Sequence, residues 1–158
     1  MAMPKPIKRS EQLAPLSRDH HEALLLVWKI RQGIKNETPV QEIAAYVHWF
    51  WNNHLQLHFS QEENLLLPHL PESDEMARQL KEEHQIIREM VAAHPDISSL
   101  ALLADKMNDH IRFEERKLFP HIEKKLNAHQ LNSIYKQLEH QPHCMEKWEN
   151  EFWLKKTK

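Results

Sequence analysis

His58-Phe59-Ser60-Gln61-Glu62-Glu63-Asn64-Leu65-Leu66-Leu67-Pro68-His69 returns 52 positions later as His110-Ile111-Arg112-Phe113-Glu114-Glu115-Arg116-Lys117-Leu118-Phe119-Pro120-His121. Both stretches read H-x-x-x-E-E-x-x-L-(L/F)-P-H. Positions i and i+4 of an α-helix lie about 40° apart around the axis and roughly 6 Å along it, so each copy presents an imidazole and a carboxylate from one face. An imidazole and a carboxylate offered together, twice, form the donor set of a metal site.

Outward from the repeat, apolar residues recur at three- and four-residue spacing almost throughout, which predicts an all-α chain. The periodicity and breakers predict a first helix from Ser17, as N-cap, to Lys35, with Gly33 near its end. A second runs from Val40 to Leu67 and is stopped by Pro68 and Pro71. A third is capped by Ser73 or Asp74 and reaches Ala93; a fourth is opened by Asp96 or Ser98 and is ended or kinked at Pro120. Asn127 caps a short fifth helix to Glu139, and a tail from Met145 to Leu154 carries Trp148, Phe152 and Trp153. Short connections between four long helices imply antiparallel neighbours. The expected architecture is an up-down-up-down four-helix bundle over residues 12–125 with an additional C-terminal helix and tail over 127–158, all in one domain spanning 1–158.

The repeat falls on the second and fourth helices. The first and third share a weaker echo, Arg18-Asp19-His20 against Glu82-Glu83-His84, an acid followed by His. On the first helix Leu13, Leu16, His20, Leu24 and Val27 share a face, and on the third Leu80, His84, Ile87 and Val91 do. The second aligns Trp51, Leu55, His58, Glu62 and Leu65 or Leu66, and the fourth Leu103, Met107, His110, Glu114 and Leu118. Four imidazoles and two carboxylates therefore point into an apolar core, where each unpaired charge costs several kcal/mol. Two cations bridged by Glu62 and Glu114, each with two imidazoles, would neutralise them. Nitrogen and oxygen donors of this kind suit iron or manganese, with zinc able to occupy the site in a purified sample.

Composition limits the alternatives. The chain has 158 residues, one Gly, nine Pro and a formal charge of -2. So few glycines argue against tight hairpins and Gly-rich phosphate loops, and dispersed Lys and Arg argue against nucleic acid. No segment approaches the ~20 apolar residues of a membrane span, and residues 1–9 are too short and polar for a secretory signal, so a cytoplasmic protein is expected. One Cys, Cys144, excludes an intramolecular disulfide and any site built from several thiolates of one chain.

The order lone His, His-x-x-x-Glu, lone His, His-x-x-x-Glu, with its E-E-x-x-L-F-P run, resembles the hemerythrin-like family of HHE cation-binding domains over residues 10–125. The resemblance implies a non-heme di-iron centre that binds or senses O2, NO or peroxide-type species, in redox or nitrosative stress defence. It also implies His20, His58, Glu62, His84, His110 and Glu114 as its metal ligands. Ferritin-like di-iron bundles instead use Glu-x-x-His. Oxygen-carrying hemerythrins are similar to this chain but have a further His one turn after the one on the third helix, where Arg88 stands here. Arg88 is expected to turn away or to pair with an acid such as Glu83 or Glu89. With one imidazole fewer, the site resembles the bacterial iron-sulfur-repair di-iron proteins, which carry an N-terminal Cys-containing segment without a counterpart in this sequence.

Other polar residues have plainer readings. His21 competes with its neighbour His20 for the inward position, and His54 lies one turn before His58. Glu63 and Glu115 lie about 140° around the helix from their histidines, which reads as solvated surface, although the resemblance to carrier-type hemerythrins, with an i+5 spacing on the last helix, keeps Glu115 a candidate. His69 and His121 read as helix-end imidazoles facing the C-terminal dipole. His140, His143 and Cys144 read as an exposed segment, and Trp28, Trp49 and Trp51 as core packing. Phe59 and Phe113 are the expected apolar surroundings of the ligands. The aromatic tail is expected to cover the bundle or to form a homodimer. Two rival functions use the same residues: a metal-handling or storage bundle without ligand chemistry, and a metal-free interaction module. A di-iron oxidase or peroxidase fits the residues as well.

Overall fold

The computed structural model describes residues 9–139 and 146–154. His140, His143, Cys144 and Met145 lie outside them. Helix α1 (Ala14–Lys35) is followed by a second rod made of α2 (Val40–Phe50), a π-helical turn Trp51–Leu55, α3 (Gln56–Gln61), a second π turn Glu62–Leu66 and a 3-10 turn Leu67–His69. The third rod is α4 (Glu75–Ala92). The fourth joins α5 (Ile97–Phe113), a π turn Glu114–Leu118 and α6 (Phe119–Lys125), and α7 (Ala128–Glu139) follows. The described residues form no strand.

Local chemistry explains most boundaries. Asp74 accepts hydrogen bonds from the Met76 and Ala77 amides, both at 3.0 Å, and caps α4. Asp96 and Ser99 form a reciprocal capping box on α5, and Asn127 and Gln130 exchange an equivalent pair ahead of α7. The first helix departs from expectation. It begins at Ala14 with Pro15 in its first turn, where a missing N–H is no loss, and Ser17 sits inside it.

Of the two outcomes expected at Pro120 the ending does not occur, because the fourth rod continues through it to Lys125. A proline ring clashes with the carbonyl four residues back in a regular α-helix. Here the turn before it is widened: the Phe119 amide donates to the Glu114 carbonyl, five residues back. The same bond joins the Leu67 amide to the Glu62 carbonyl ahead of Pro68. Each widened turn starts at a carboxylate of the repeat, so one local distortion both passes the proline and sets the position of the acid.

The buried apolar residues divide into two clusters, one around Leu26, Ile43, Phe59, Leu103 and Met107, the other around Leu16, Leu66, Leu80, Leu118 and Phe119. The first rod passes from the second cluster (Leu13, Leu16) through His20 to the first cluster (Ala23, Leu26); the third does the same from Leu80 through His84 to Ile87. The second and fourth rods run the other way, from Leu55 through His58 and Glu62 to Leu66, and from Met107 through His110 and Glu114 to Leu118. This alternation is the up-down-up-down arrangement, and it leaves one polar layer between two greasy halves. Ala23, not Leu24, faces inward on α1, and Leu24 is exposed.

Helix α7 closes the end of the second cluster with Leu131, Ile134 and Leu138. The tail packs on the chain's own first cluster: Phe152 and Trp153 are buried there and Trp148 lies against it. Trp49 and Trp51 also contact that cluster, but Trp28 is exposed, so the expected tryptophan core stripe is incomplete. No helix among the described residues is long and apolar enough to cross a membrane.

Candidate metal centre

All six inward residues of the repeat and its echo converge in the polar layer. His20, His58, Glu62, His84, His110 and Glu114 are each between 0% and 4% exposed. Glu114 spans the layer, with Oε2 2.7 Å from His20 Nε2 and Oε1 against His110 Nε2 and 3.6 Å from His84 Nε2. Glu62 Oε1 lies 3.3 Å from His58 Nε2 and 3.2 Å from His84 Nε2.

These close approaches are not hydrogen bonds. The four Nε2 atoms and the four carboxylate oxygens are all buried without a hydrogen-bond partner. Eight buried polar atoms in one layer, four imidazole nitrogens facing four carboxylate oxygens, need either protons or cations between them. They fall into two groups, His20, His58, Glu62 and Glu114, and Glu62, His84, His110 and Glu114, in each of which the ligating atoms lie within 4.8 Å of one another. Each group could hold a metal ion, and both carboxylates are shared between them. The donor chemistry therefore fits a pair of cations.

The outer nitrogens show how the imidazoles are aimed. Asp19 Oδ2 on α1 lies 3.1 Å from His58 Nδ1, Glu63 Oε2 on the second rod 2.7 Å from His84 Nδ1, Glu83 Oε1 on α4 2.7 Å from His110 Nδ1, and Glu115 Oε1 on the fourth rod 2.7 Å from His20 Nδ1. Each rod thus holds the histidine of the next, and the ring closes. A carboxylate on Nδ1 places the proton there and leaves the Nε2 lone pair facing inward.

Two of these carboxylates have a further layer behind them. Arg88 Nη2 donates to Glu63 and lies over the Phe59 ring, which is stacked on His84 with centroids 3.8 Å apart. Arg9 Nη2 donates to Glu115 at 2.9 Å and lies over Phe119, which is stacked on His20 at 5.3 Å. The two halves of the site repeat the same sandwich of arginine, phenylalanine and ligand-type histidine, built from residues that are not themselves repeated in the sequence.

Several expectations are corrected by this geometry. Glu63 and Glu115 are not solvated surface acids but the half-buried partners of His84 and His20. Arg88 pairs with Glu63, not with Glu83 or Glu89. Phe119, not Phe113, is the ring against the histidine of α1, and Phe113 belongs to the second cluster. His21 is exposed, and His54 packs against Trp49 and Phe50 outside both groups. His121 does not face a helix C-terminus: it lies in the first turn of α6 and its Nε2 is 2.7 Å from Asp74 Oδ2.

The electrostatics agree with the geometry. Burial by itself would strip the proton from each imidazole, but the carboxylates around them outweigh it. His20 and His110 rise from 6.5 to about 9, His58 to about 10 and His84 to about 11. Burial likewise favours a neutral Glu114, yet His110 and His20 hold it well below the usual carboxylate range. Glu115, drawn down by His20, Ser17 and Arg9 against its own burial, falls to about 2. Without a cation, the layer balances its acids with imidazolium protons, which an incoming ion displaces.

A four-helix bundle with a buried layer of four histidines and two shared carboxylates defines a metal-binding class of bundle. The model of the hemerythrin HHE cation binding domain family matches residues 12–122, and the chain belongs to that family. No curated protein and no solved structure matches the chain.

Proposed function

We propose that the centre holds two iron ions, one between His20 and His58 and one between His84 and His110, with Glu62 and Glu114 bridging, and that it binds or senses O2, NO or a peroxide-type ligand in redox or nitrosative stress defence. The observation that carries this reading is the set of eight buried, unpartnered donor atoms, divided into two groups that share both carboxylates. Four protein donors per ion leave coordination positions open, which a purely structural site does not. Bound iron supplies those positions and a change of oxidation state. The chain's own part is to orient the imidazoles through the outer carboxylates, to exclude water with Phe59 and Phe119, and to keep the layer dry between two apolar clusters.

Rapid mixing of the reduced, iron-loaded protein with O2, NO or hydrogen peroxide tests this function. A defined visible charge-transfer spectrum that saturates with ligand concentration is expected. Retention of iron with no spectral response to any of the three would mean storage or handling instead.

A further inference from the structure

The bundle has an approximate internal twofold relation, with equivalent positions 52 apart on the second and fourth rods and 64 apart on the first and third, as for His20 and His84. The relation breaks on one side of the centre. A cavity of about 60 Å³ lies beside His58 and Gln61, and His54, Phe50, Asp19 and Glu22 also line it. The last four also line a groove of about 700 Å³ that extends outward between α1, α2 and the tail. The equivalents of Glu22, His54 and Gln61 are Ile86, Lys106 and Phe113. Ile86 and Lys106 line a cleft beside His110, and no described tail residue reaches it.

The tail forms the groove's outer wall and is seated specifically. Glu146, Trp148, Glu151 and Trp153 line the groove. Asn36 Nδ2 donates to the Phe152 carbonyl at 3.1 Å and the Leu154 carbonyl at 3.3 Å, and Lys29 Nζ lies 4.2 Å over the Trp153 ring. The chain's one glycine is what admits Phe152: a Cβ on Gly33 would lie 2.7 Å from Phe152 Cε1. The wall also carries an indole donor, Trp148 Nε1, that is buried without a partner. Four acids line the groove (Asp19, Glu22, Glu146 and Glu151) against two lysines (Lys29 and Lys147). A concave surface with one sign of charge in excess repels small ions of that sign, and salt screens the effect.

We propose that this groove is the entry vestibule of the metal centre, with residues 146–154 as its outer wall and an acidic lining that admits small neutral molecules and retards anions. The proposal rests on the reading of the layer as a metal centre. The test uses the full-length, metal-loaded protein, with azide as the anionic probe and NO as the neutral one, and follows association rates by stopped flow as ionic strength is raised. The azide rate should climb about threefold or more with screening while the NO rate stays flat. Glu22→Gln should raise the low-salt azide rate and flatten its salt slope. Gly33→Val, which expels Phe152, and Asn36→Ala, which only removes the two hydrogen bonds to the tail, should both raise it, by up to about tenfold. Equal salt independence for azide and NO, or azide rates that neither Glu22→Gln nor Asn36→Ala changes, would overturn the vestibule and leave the metal centre standing. A chain that takes up no metal would overturn both.

Discussion

Glu63 Oε2 lies 2.7 Å from His84 Nδ1, so a carboxylate on the second rod fixes an imidazole on the third. The contact belongs to the ring in which each rod aims the next rod's histidine, and it is braced by Arg88. The centre is therefore held by at least ten side chains, six facing inward and four behind them. Loss of an outer carboxylate should loosen the metal without unfolding the bundle.

Glu63→Gln keeps the size of the side chain and removes its charge. Metal affinity should fall about 10–100-fold, the range usual for partners behind a ligand, with helical content unchanged. Asp19→Asn should have a smaller effect, because Asp19 is 43% exposed at its side chain and sits farther from its histidine, at 3.1 Å. Competition with a chromophoric chelator measures both; equal losses would contradict the ranking.

The pH dependence has opposite signs with and without metal. In the metal-free protein the four imidazoles titrate above their ordinary 6.5, at about 9 for His20 and His110, 10 for His58 and 11 for His84. Their stabilising charge is fully present below 6.5 and lost as pH rises through those values. Metal displaces the same protons, so its affinity rises over that interval, and proton competition begins well above the pH near 6 that unperturbed imidazoles would suggest. Thermal melts should show the metal-free Tm falling, and the Tm gain on metal addition growing, as pH is raised from 6.5 to 9.

Much of this was legible in the chain. The repeat named four inward residues and its echo on the first and third helices the other two, and the cap candidates Ser73 or Asp74, Asp96 or Ser98, and Asn127 marked the helix starts, because a shared helix face and capping are both local. The outer ring was not legible, since Glu63, Glu83, Glu115 and Asp19 each serve a histidine on a different rod, and helix spacing alone describes one rod at a time. Whether Pro120 would end or distort its helix was not legible for a related reason: a breaker rule assumes a regular α-helix, whereas the turn before it is widened. Arg9 carried no signal at all, and Phe119, although inside the repeat, is Leu67 in the other copy, so the pattern gave no reason to place an aromatic ring against His20.

Asp74 both caps α4 and meets His121, with Lys125 Nζ 3.5 Å away. Asp74→Ala should cost about 1–3 kcal/mol by urea denaturation, from the lost cap and the stranded partner. Its own burial works against ionisation, but His121, the Ala77 amide and Lys125 keep its pKa below 3.8. That contribution is present above 3.8 and lost as pH falls through the depressed value. Asp74→Asn, which keeps the cap, should therefore be less stable than the parent at neutral pH, and the two should converge in acid. A gap that persists there would assign the effect to packing.

Glu62 and Glu114 are expected to hold two cations in the layer between them. Elemental analysis of the iron-reconstituted chain, with Glu62→Ala and Glu114→Ala beside it, measures this directly. Two ions per chain in the parent, and fewer than one in either variant because each carboxylate serves both positions, is the predicted result. A parent chain that holds no metal, or two variants that each keep the parent's full complement, would contradict it.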